Sequence, residues 1–169
     1  MNISEYQNYH ETKSHTTADF PYNTYLCYIP RDFPGVPLHW HAEAELIVIK
    51  KGRGIVSSDF QKKAVTSGDI VLIRPGQLHS IEQDANHVME YDNIIFKPDL
   101  LISGKDDLCA IQFITPLMEG QIPSVPSLTS ALSYYQPSSS CIRLIDLPSA
   151  PRPVCSHPAL HAPFLPFFL

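Results

Sequence analysis

"LHWHAEAELIVIKKG", residues 38–52, decides how the chain is read. Two histidines stand one residue apart, a carboxylate follows, and then comes a bare apolar run. Successive side chains on a strand point to opposite faces, so His39 and His41 share one face. Two imidazoles so placed can share a small cation. Glu45 has the same parity and is placed to join them, directly or across a bend. Glu43 has that parity too, so alternation leaves the choice between the two carboxylates open. Trp40 lies between the histidines and points to the other face, where a large aromatic packs against a core or an interface.

Downstream, "GDIVLIRPGQLHS" (residues 68–80) sets Gly68, Pro75, Gly76 and His79 in a strand–turn–strand unit. His79 opens a strand able to pair beside the first. Three imidazoles and one carboxylate suit Fe, Mn, Ni, Zn or Cu. Without a metal the same four residues would form a hydrogen-bonded cluster.

The chain of 169 residues is long enough for one domain with a real core, and its apolar content is 44%. The net charge is −5 and the pI about 5.8, against the strongly basic surface that holds a nucleic-acid backbone. No direct DNA contact is therefore expected from this chain. The N-terminus has no apolar signal-peptide core, and no apolar run reaches membrane-spanning length, so the expected compartment is the cytoplasm, with no membrane partner. Cys27, Cys109, Cys141 and Cys155 are widely spaced and read as thiols rather than as a disulfide framework.

Composition changes near residue 121. All seven glycines lie at or before Gly120, whereas nine of the sixteen prolines and nine serines lie after it. Residues 1–20 read as a polar, partly mobile arm. From about Thr24 to Phe96, short apolar runs separated by Gly, Pro and Asp predict an all-β sandwich or barrel. "TYLCYI", "ELIVIKKG", "GIVSS", "KKAVTSGD", "DIVLIRPG", "QLHSIEQ" and "HVMEYDNIIF" are the expected strands, with turns at "KGRG", near Asp59 and at Pro75-Gly76. Lys50, Lys51, Arg53, Lys62 and Lys63 are then solvated turn charges, and His87 in "DANH" is exposed. Residues 97–120 predict a turn, a short helix and a last strand, with Asp106 or Asp107 capping a turn before "LCAIQF". Six prolines between Pro148 and Pro166 exclude a regular helix there, so residues 121–169 read as mostly irregular, with a short helix around "SSCIRLID". For the same reason His157 and His161 do not form a helical metal pair.

The run His39-x-His41-x3-Glu45-x6-Gly52 resembles the first cupin motif, and the run Gly68…Gly76-x2-His79 resembles the second. The leading glycine of the first motif is displaced, Gly35 standing too close to His39. In the second, Pro75 is shifted by one and Gln83 stands where the motif has asparagine. The glycine that follows Glu45 after six residues selects Glu45 over Glu43 as the matching carboxylate. "PLHWHAEAELIVIKKGRG" followed by "GDIVLIRPGQLHS", with the later "IIFKPDLL" and "FITPLMEG", resembles the N-terminal sensory domain of AraC-type transcription regulators over residues 20–120.

The resemblance implies a cupin double-stranded β-helix (a jelly-roll barrel) over residues 21–120, with a pocket for a small polar or sugar-like effector. It implies a homodimer, and a metal site at His39, His41, Glu45 and His79 for Zn, Ni, Fe or Mn. Residues before and on the first strands, here Tyr25, Tyr28 and Phe33, line the pocket or cover its mouth in that family, which makes Tyr28 a ligand-binding candidate beside the four; core packing is the simpler expectation for each of the three. In the family a helical segment and paired helix-turn-helix units follow the barrel. The Pro-rich residues 121–169 depart from that pattern, so a truncated or frameshifted remnant is expected there. The competing expectation is a small metal-dependent cupin enzyme, a dioxygenase or isomerase, with Glu43 as a weak candidate acid or base. A third is a fragment without a ligand.

Overall fold

The computed structural model describes residues 2–104 and 106–121, with the two-residue strand Ser127–Leu128. Cys141, Cys155, His157, His161, the expected helix at "SSCIRLID" and most of the Pro-rich stretch lie outside the described residues. Among the described residues eight strands form: β1 (Tyr22–Ile29), β2 (Gly35–His39), β3 (Ala44–Ser58), β4 (Gln61–Thr66), β5 (Ile70–Ile73), β6 (His79–Gln83), β7 (Met89–Phe96) and β8 (Ser127–Leu128). Every pairing among them is antiparallel. One sheet runs β1-β7-β3-β5-β8; in the other, β3 pairs with β4 and β6, and β6 with β2. The result is the curled all-β half-barrel of the expected double-stranded β-helix.

β3 belongs to both sheets. Residues 44–52 pair with β7, and residues 53–58 pair with β4. The sequence predicts two strands and a turn at "KGRG"; the structure has one strand of 15 residues. A bulge between Ile49 and Lys51, followed by Gly52 at φ 77°, absorbs the bend and lets the ladder continue around the corner. Glycine is required at position 52 because a Cβ there would overlap the carbonyl oxygen of Val88. The neighbouring cations consequently sit on a strand rather than a turn. Lys51 pairs with Glu90 at 3.0 Å, Lys50 with the buried Asp92 at 3.1 Å, and Arg53 with Asp84.

True turns form at the other two expected places. Asp59 and Phe60, at φ 47° and 66°, make the two-residue loop of the β3–β4 hairpin, whose left-handed backbone matches the twist of the paired strands. Pro75 and Gly76 form the β5–β6 turn, in which the Gln77 N–H donates to the Arg74 carbonyl at 3.0 Å and Gly76 takes φ 71°.

The core lies between the two sheets. Strand alternation sends Cys27 and Ile29 from β1, Ile47 and Ile49 from β3, Val71 and Ile73 from β5, and Met89 and Tyr91 from β7 inward, where they meet Val56, Val65 and Ile81. Tyr25 and Phe33 pack against this cluster, as expected. Cys27 is a buried free thiol and Cys109 an exposed one. His87 is exposed.

Beyond β7 the expected last strand does not form. A 3-10 turn spans Pro98–Leu101, and "LCAIQF" is helical, passing through a π turn at Ala110–Ile114 into a short α-helix at Thr115–Met118. Asp107 is the reason. Its carboxylate accepts from the Ser103 and Ala110 backbone N–H groups, each at 3.0 Å, which starts the helix and holds the carboxyl below its usual pKa. Among the described residues no helix is long and apolar enough to cross a membrane.

The N-terminal arm is docked onto the barrel. A five-residue helix, α1 (Ile3–Gln7), is closed by a capping box between Asn2 and Glu5. Trp40 stacks between Tyr6 and His10, with ring centroids at 4.7 and 4.2 Å, and its indole N–H donates to the Tyr6 carbonyl. The aromatic that alternates away from the site histidines thus packs, as the sequence predicts, and what it packs against is the arm.

Gly52→Ala should destabilise the protein by at least about 2 kcal/mol, because the left-handed backbone and the close Val88 carbonyl both reject a methyl group. Urea unfolding measures this. A loss below about 0.5 kcal/mol, the range of ordinary surface substitutions, would show that the corner does not depend on glycine.

Candidate functional site

Four side chains converge at one end of the barrel. His39 ends β2 and is the cross-strand partner of His79, which opens β6. His41 lies on the link from β2 to β3, and Glu45 is the second residue of β3. One potential ligand atom from each lies within 4.8 Å of all the others. His41, Glu45 and His79 are fully buried, while the His39 side chain keeps 16% of its surface exposed.

Each imidazole is aimed by the backbone. Nδ1 of His39 donates to the Pro37 carbonyl at 2.9 Å, that of His41 to the Glu43 carbonyl at 3.1 Å, and that of His79 to the Gln77 carbonyl at 2.8 Å. A proton on each Nδ1 leaves Nε2 facing the centre. This is the orientation in which a second hydrogen bond fixes the tautomer of a metal-binding histidine. Nε2 of His41 and Nε2 of His79 lie 2.9 and 3.0 Å from the same oxygen, Oε2 of Glu45. Bare nitrogen lone pairs would repel that oxygen, so each contact needs a proton or a cation between the atoms.

Electrostatics follow from this packing. Burial works against charge on His41, but the hydrogen bond and negative charge of Glu45 outweigh it and raise the imidazole pKa. Burial also works against charge on Glu45; the neighbouring His79 and the two imidazole hydrogen bonds overcome it and hold the carboxyl well below its usual range. His39 goes the other way. Burial, reinforced by His79 at a ring-centroid distance of 4.1 Å, pushes it down to about 4. A cluster with one neutral imidazole and one fixed carboxylate presents both a lone pair and a negative charge to a cation.

The arm supplies residues that nothing in the sequence pattern marks. Glu11 lies 3.6 Å from Nε2 of His39 and 3.3 Å from Nε2 of His15. Nδ1 of His15 contacts the Tyr25 hydroxyl at 3.1 Å, and Thr16 donates to Glu43 at 3.2 Å. Glu43 therefore sits beside the cluster, its carboxylate 3.9 Å from Nδ1 of His41, while Glu45 is the carboxylate among the imidazoles. His15 and Thr16 are buried although "HETKSH" has neither apolar periodicity nor a turn signal. Tyr28 is placed apart from the four. Cys27 and Ile29 point inward, so Tyr28 faces the other side of β1, where the Arg31 guanidinium lies 3.7 Å from its ring centroid.

A cavity of about 200 Å3 is lined by Val56, Ser58, Gln61, Lys62, Lys63 and Val71, and none of the four donors lines it. Ser58 is the cross-strand neighbour of His79.

A curled antiparallel barrel that gathers three imidazoles and a carboxylate from these two motifs defines the chain as a cupin. The sequence model of the AraC-like ligand binding domain matches residues 23–133, and the chain belongs to that family. An uncharacterized HTH-type transcriptional regulator of Bacillus subtilis (strain 168), YdeC, is 31% identical over 98 residues, which is 57% of this chain and 34% of that protein. The chain thus spans about a third of that relative's length. Among solved structures, a cupin protein of Bacteroides fragilis aligns with a TM-score of 0.42 at 20% identity, covering 52% of this chain and 81% of the other. A predicted oxalate decarboxylase of Thermotoga maritima aligns with a TM-score of 0.39 at 29% identity, covering 43% and 63%.

The stability of protein stripped of metal by a chelator should peak near neutrality. His39 has a lowered native pKa, so its contribution is complete above about 6.5 and falls as pH drops toward about 4. The lowered Glu45 pKa adds a further loss once pH falls below the unfolded carboxyl value of about 4.3. His41 has a raised native pKa, so its contribution is complete below about 6.5 and is lost as pH rises through the native value. Thermal unfolding across pH should show both limbs, with the alkaline limb flattened in His41→Gln. Stability that rises steadily from acid to alkaline pH would be incompatible with a charged His41–Glu45 pair.

Proposed function

We propose that this chain is the effector-sensing part of a transcription regulator, acting by binding rather than by turnover. The observation that carries this reading is the family match, whose residues 23–133 run from β1 through β8. The relatedness to a helix-turn-helix regulator points the same way. The effector is a small polar metabolite or a sugar-like molecule held inside the barrel, beside His39, His41, Glu45 and His79. Binding would alter how two copies of the barrel are held, so the working unit is a homodimer.

The four residues fit a divalent transition metal. Their donor set is three nitrogens and one oxygen within 4.8 Å of one another, the Nε2 atoms of His41 and His79 face the Glu45 carboxylate, and each ring is backed by a carbonyl. Zn, Ni, Fe or Mn would be held by these residues and would supply a Lewis-acidic point for an oxygen of the effector. The chain's own contribution is to fix the rings, exclude water and keep Glu45 ionised. The complete donor set is also what a metal-dependent cupin enzyme needs, and that is the competing reading.

Added metal should raise the melting temperature by mass action, by about 2.7 kcal/mol of stability at a hundredfold excess over Kd. His39→Asn should lose most of that gain at little cost to folding, because His39 is the most exposed of the four. An equal gain in the variant and the parent would remove His39 from the site. For the function itself, the metal-loaded chain should be titrated with sugars, polyols and small acids, and the ligand recovered for mass spectrometry. Saturable binding with the ligand unchanged is expected, and sedimentation should report a dimer. A ligand chemically converted in proportion to protein would transfer the assignment to an enzyme.

A further inference from the structure

Resting on the metal reading above, we infer that Glu11 of the N-terminal arm is the second carboxylate of the metal site, standing just outside the four donors and balancing the charge of the cation they hold. The main chain puts it there. The Glu11 N–H donates to the Trp40 carbonyl at 2.9 Å, and Trp40 separates His39 from His41. The arm is thus fastened to the residue between two of the ligands, and the Glu11 side chain emerges beside them. Its Oε2 lies 3.6 Å from Nε2 of His39. That nitrogen is the one left for a cation when Nδ1 is bonded to the Pro37 carbonyl. The Glu11 side chain keeps only 10% of its surface exposed, so its charge is little screened by water.

A chain of polar groups braces this carboxylate. Asn23 donates to the Tyr25 hydroxyl at 2.9 Å, and that hydroxyl lies 3.1 Å from Nδ1 of His15. A hydroxyl that accepts from the amide has its own proton to give to the imidazole, which leaves the His15 proton on Nε2. Nε2 of His15 lies 3.3 Å from Oε1 of Glu11. One oxygen of Glu11 is therefore turned to His15 and the other to His39.

Charge gives the arrangement its reason. A divalent cation among three neutral imidazoles and Glu45 alone keeps an uncompensated positive charge, and His41, Glu45 and His79 are all buried. Such a charge is costly away from water unless a further anion lies close. The structure sets two more carboxylates against these rings. Glu43 is 3.9 Å from Nδ1 of His41, the nitrogen turned to the backbone, and it accepts from Thr16 at 3.2 Å. Glu11 instead faces an Nε2, on the side where a cation binds. It is the carboxylate placed to offset the cation's charge, or to accept a hydrogen bond from a water or hydroxyl that the cation holds.

The test is calorimetric titration of the full chain with Zn2+ and with Mn2+, at a temperature where every variant is folded. Glu11→Gln keeps the size of the side chain and removes its charge. It should weaken binding about tenfold or more, as loss of a group supporting metal ligands does. Glu11→Asp keeps the charge and should recover part of the loss. Glu5→Gln removes the same charge from the exposed helix of the same arm and should leave affinity within about threefold. Tyr25→Phe should weaken binding in the parent and add nothing in Glu11→Gln, because its hydroxyl acts through the carboxylate. Parent-like affinity in Glu11→Gln would overturn the inference and leave the four-donor site intact. Equal losses in Glu11→Gln and Glu5→Gln would overturn it as well, as would Glu11→Asp binding no better than Glu11→Gln. No binding of either metal by the parent would overturn it together with the metal reading on which it rests.

Discussion

The buried carboxylate of Glu45 sets the terms for the rest of this structure. An ionised carboxylate taken out of water is costly unless it is paired and hydrogen-bonded. Here one of its oxygens faces two imidazole nitrogens, from a loop and from a strand 34 positions away. Those imidazoles must in turn be aimed, and three backbone carbonyls do so. His41 arrives on the link into β3, Glu45 on β3 itself, and His39 and His79 through the β2–β6 pairing. Half of the strand order can thus be understood as the means of bringing nitrogen to one carboxylate oxygen. The same demand explains why Ile47 and Ile49, which follow Glu45 on its own face, are entirely buried. The charge sits at the end of an apolar stripe, where water is excluded.

The parts of this arrangement written as spacing were legible. His39, His41, Glu45 and His79 were identified because strand alternation and the fixed interval to Gly52 leave little freedom in where they point. The Pro75-Gly76 turn and the Asp59 hairpin were legible for a similar reason, since left-handed backbone has few tolerated residues. What failed was inference from punctuation alone. "KGRG" carries the same glycines as a turn, but a glycine that relieves a close backbone approach at a corner looks no different in sequence from one that closes a hairpin. "LCAIQF" has the apolar content of a strand, and its helical state depends on Asp107 capturing two backbone N–H groups across a loop. Residues 10–16 gave no signal, because their burial comes from Trp40 and from the barrel mouth rather than from any periodicity of their own.

The docked arm changes what counts as the site. Glu11 stands against His39, and His15 against Tyr25, so the donor cluster on the strands has a polar layer laid over it from the N-terminus. Trp40 ties that layer to the segment carrying His39 and His41. Its backbone N–H donates to the Tyr9 carbonyl, and its own carbonyl accepts from Glu11. The Gly76 N–H donates to the His41 carbonyl, and the Tyr6 hydroxyl donates to the Gly76 carbonyl. Arm, first motif and second motif therefore meet through main-chain groups as well as through the side chains of Tyr6, His10 and Glu11.

The pairing of His39 with His79 also has a meaning in chain entropy. All four donors lie between β2 and β6, and those two strands pair directly. Closing the barrel further, by pairing Tyr22 with Phe96, spans a loop nearly twice as long, at a cost of about 0.6 kcal/mol more. The chemistry-bearing strands thus occupy the short inner circuit of the chain, and β1 and β7 enclose it from outside. A segment running only from Gly35 to Gln83 would already contain every donor atom, the corner at Gly52 and both tight turns. The outer strands contribute the apolar cover that keeps Glu45 dry.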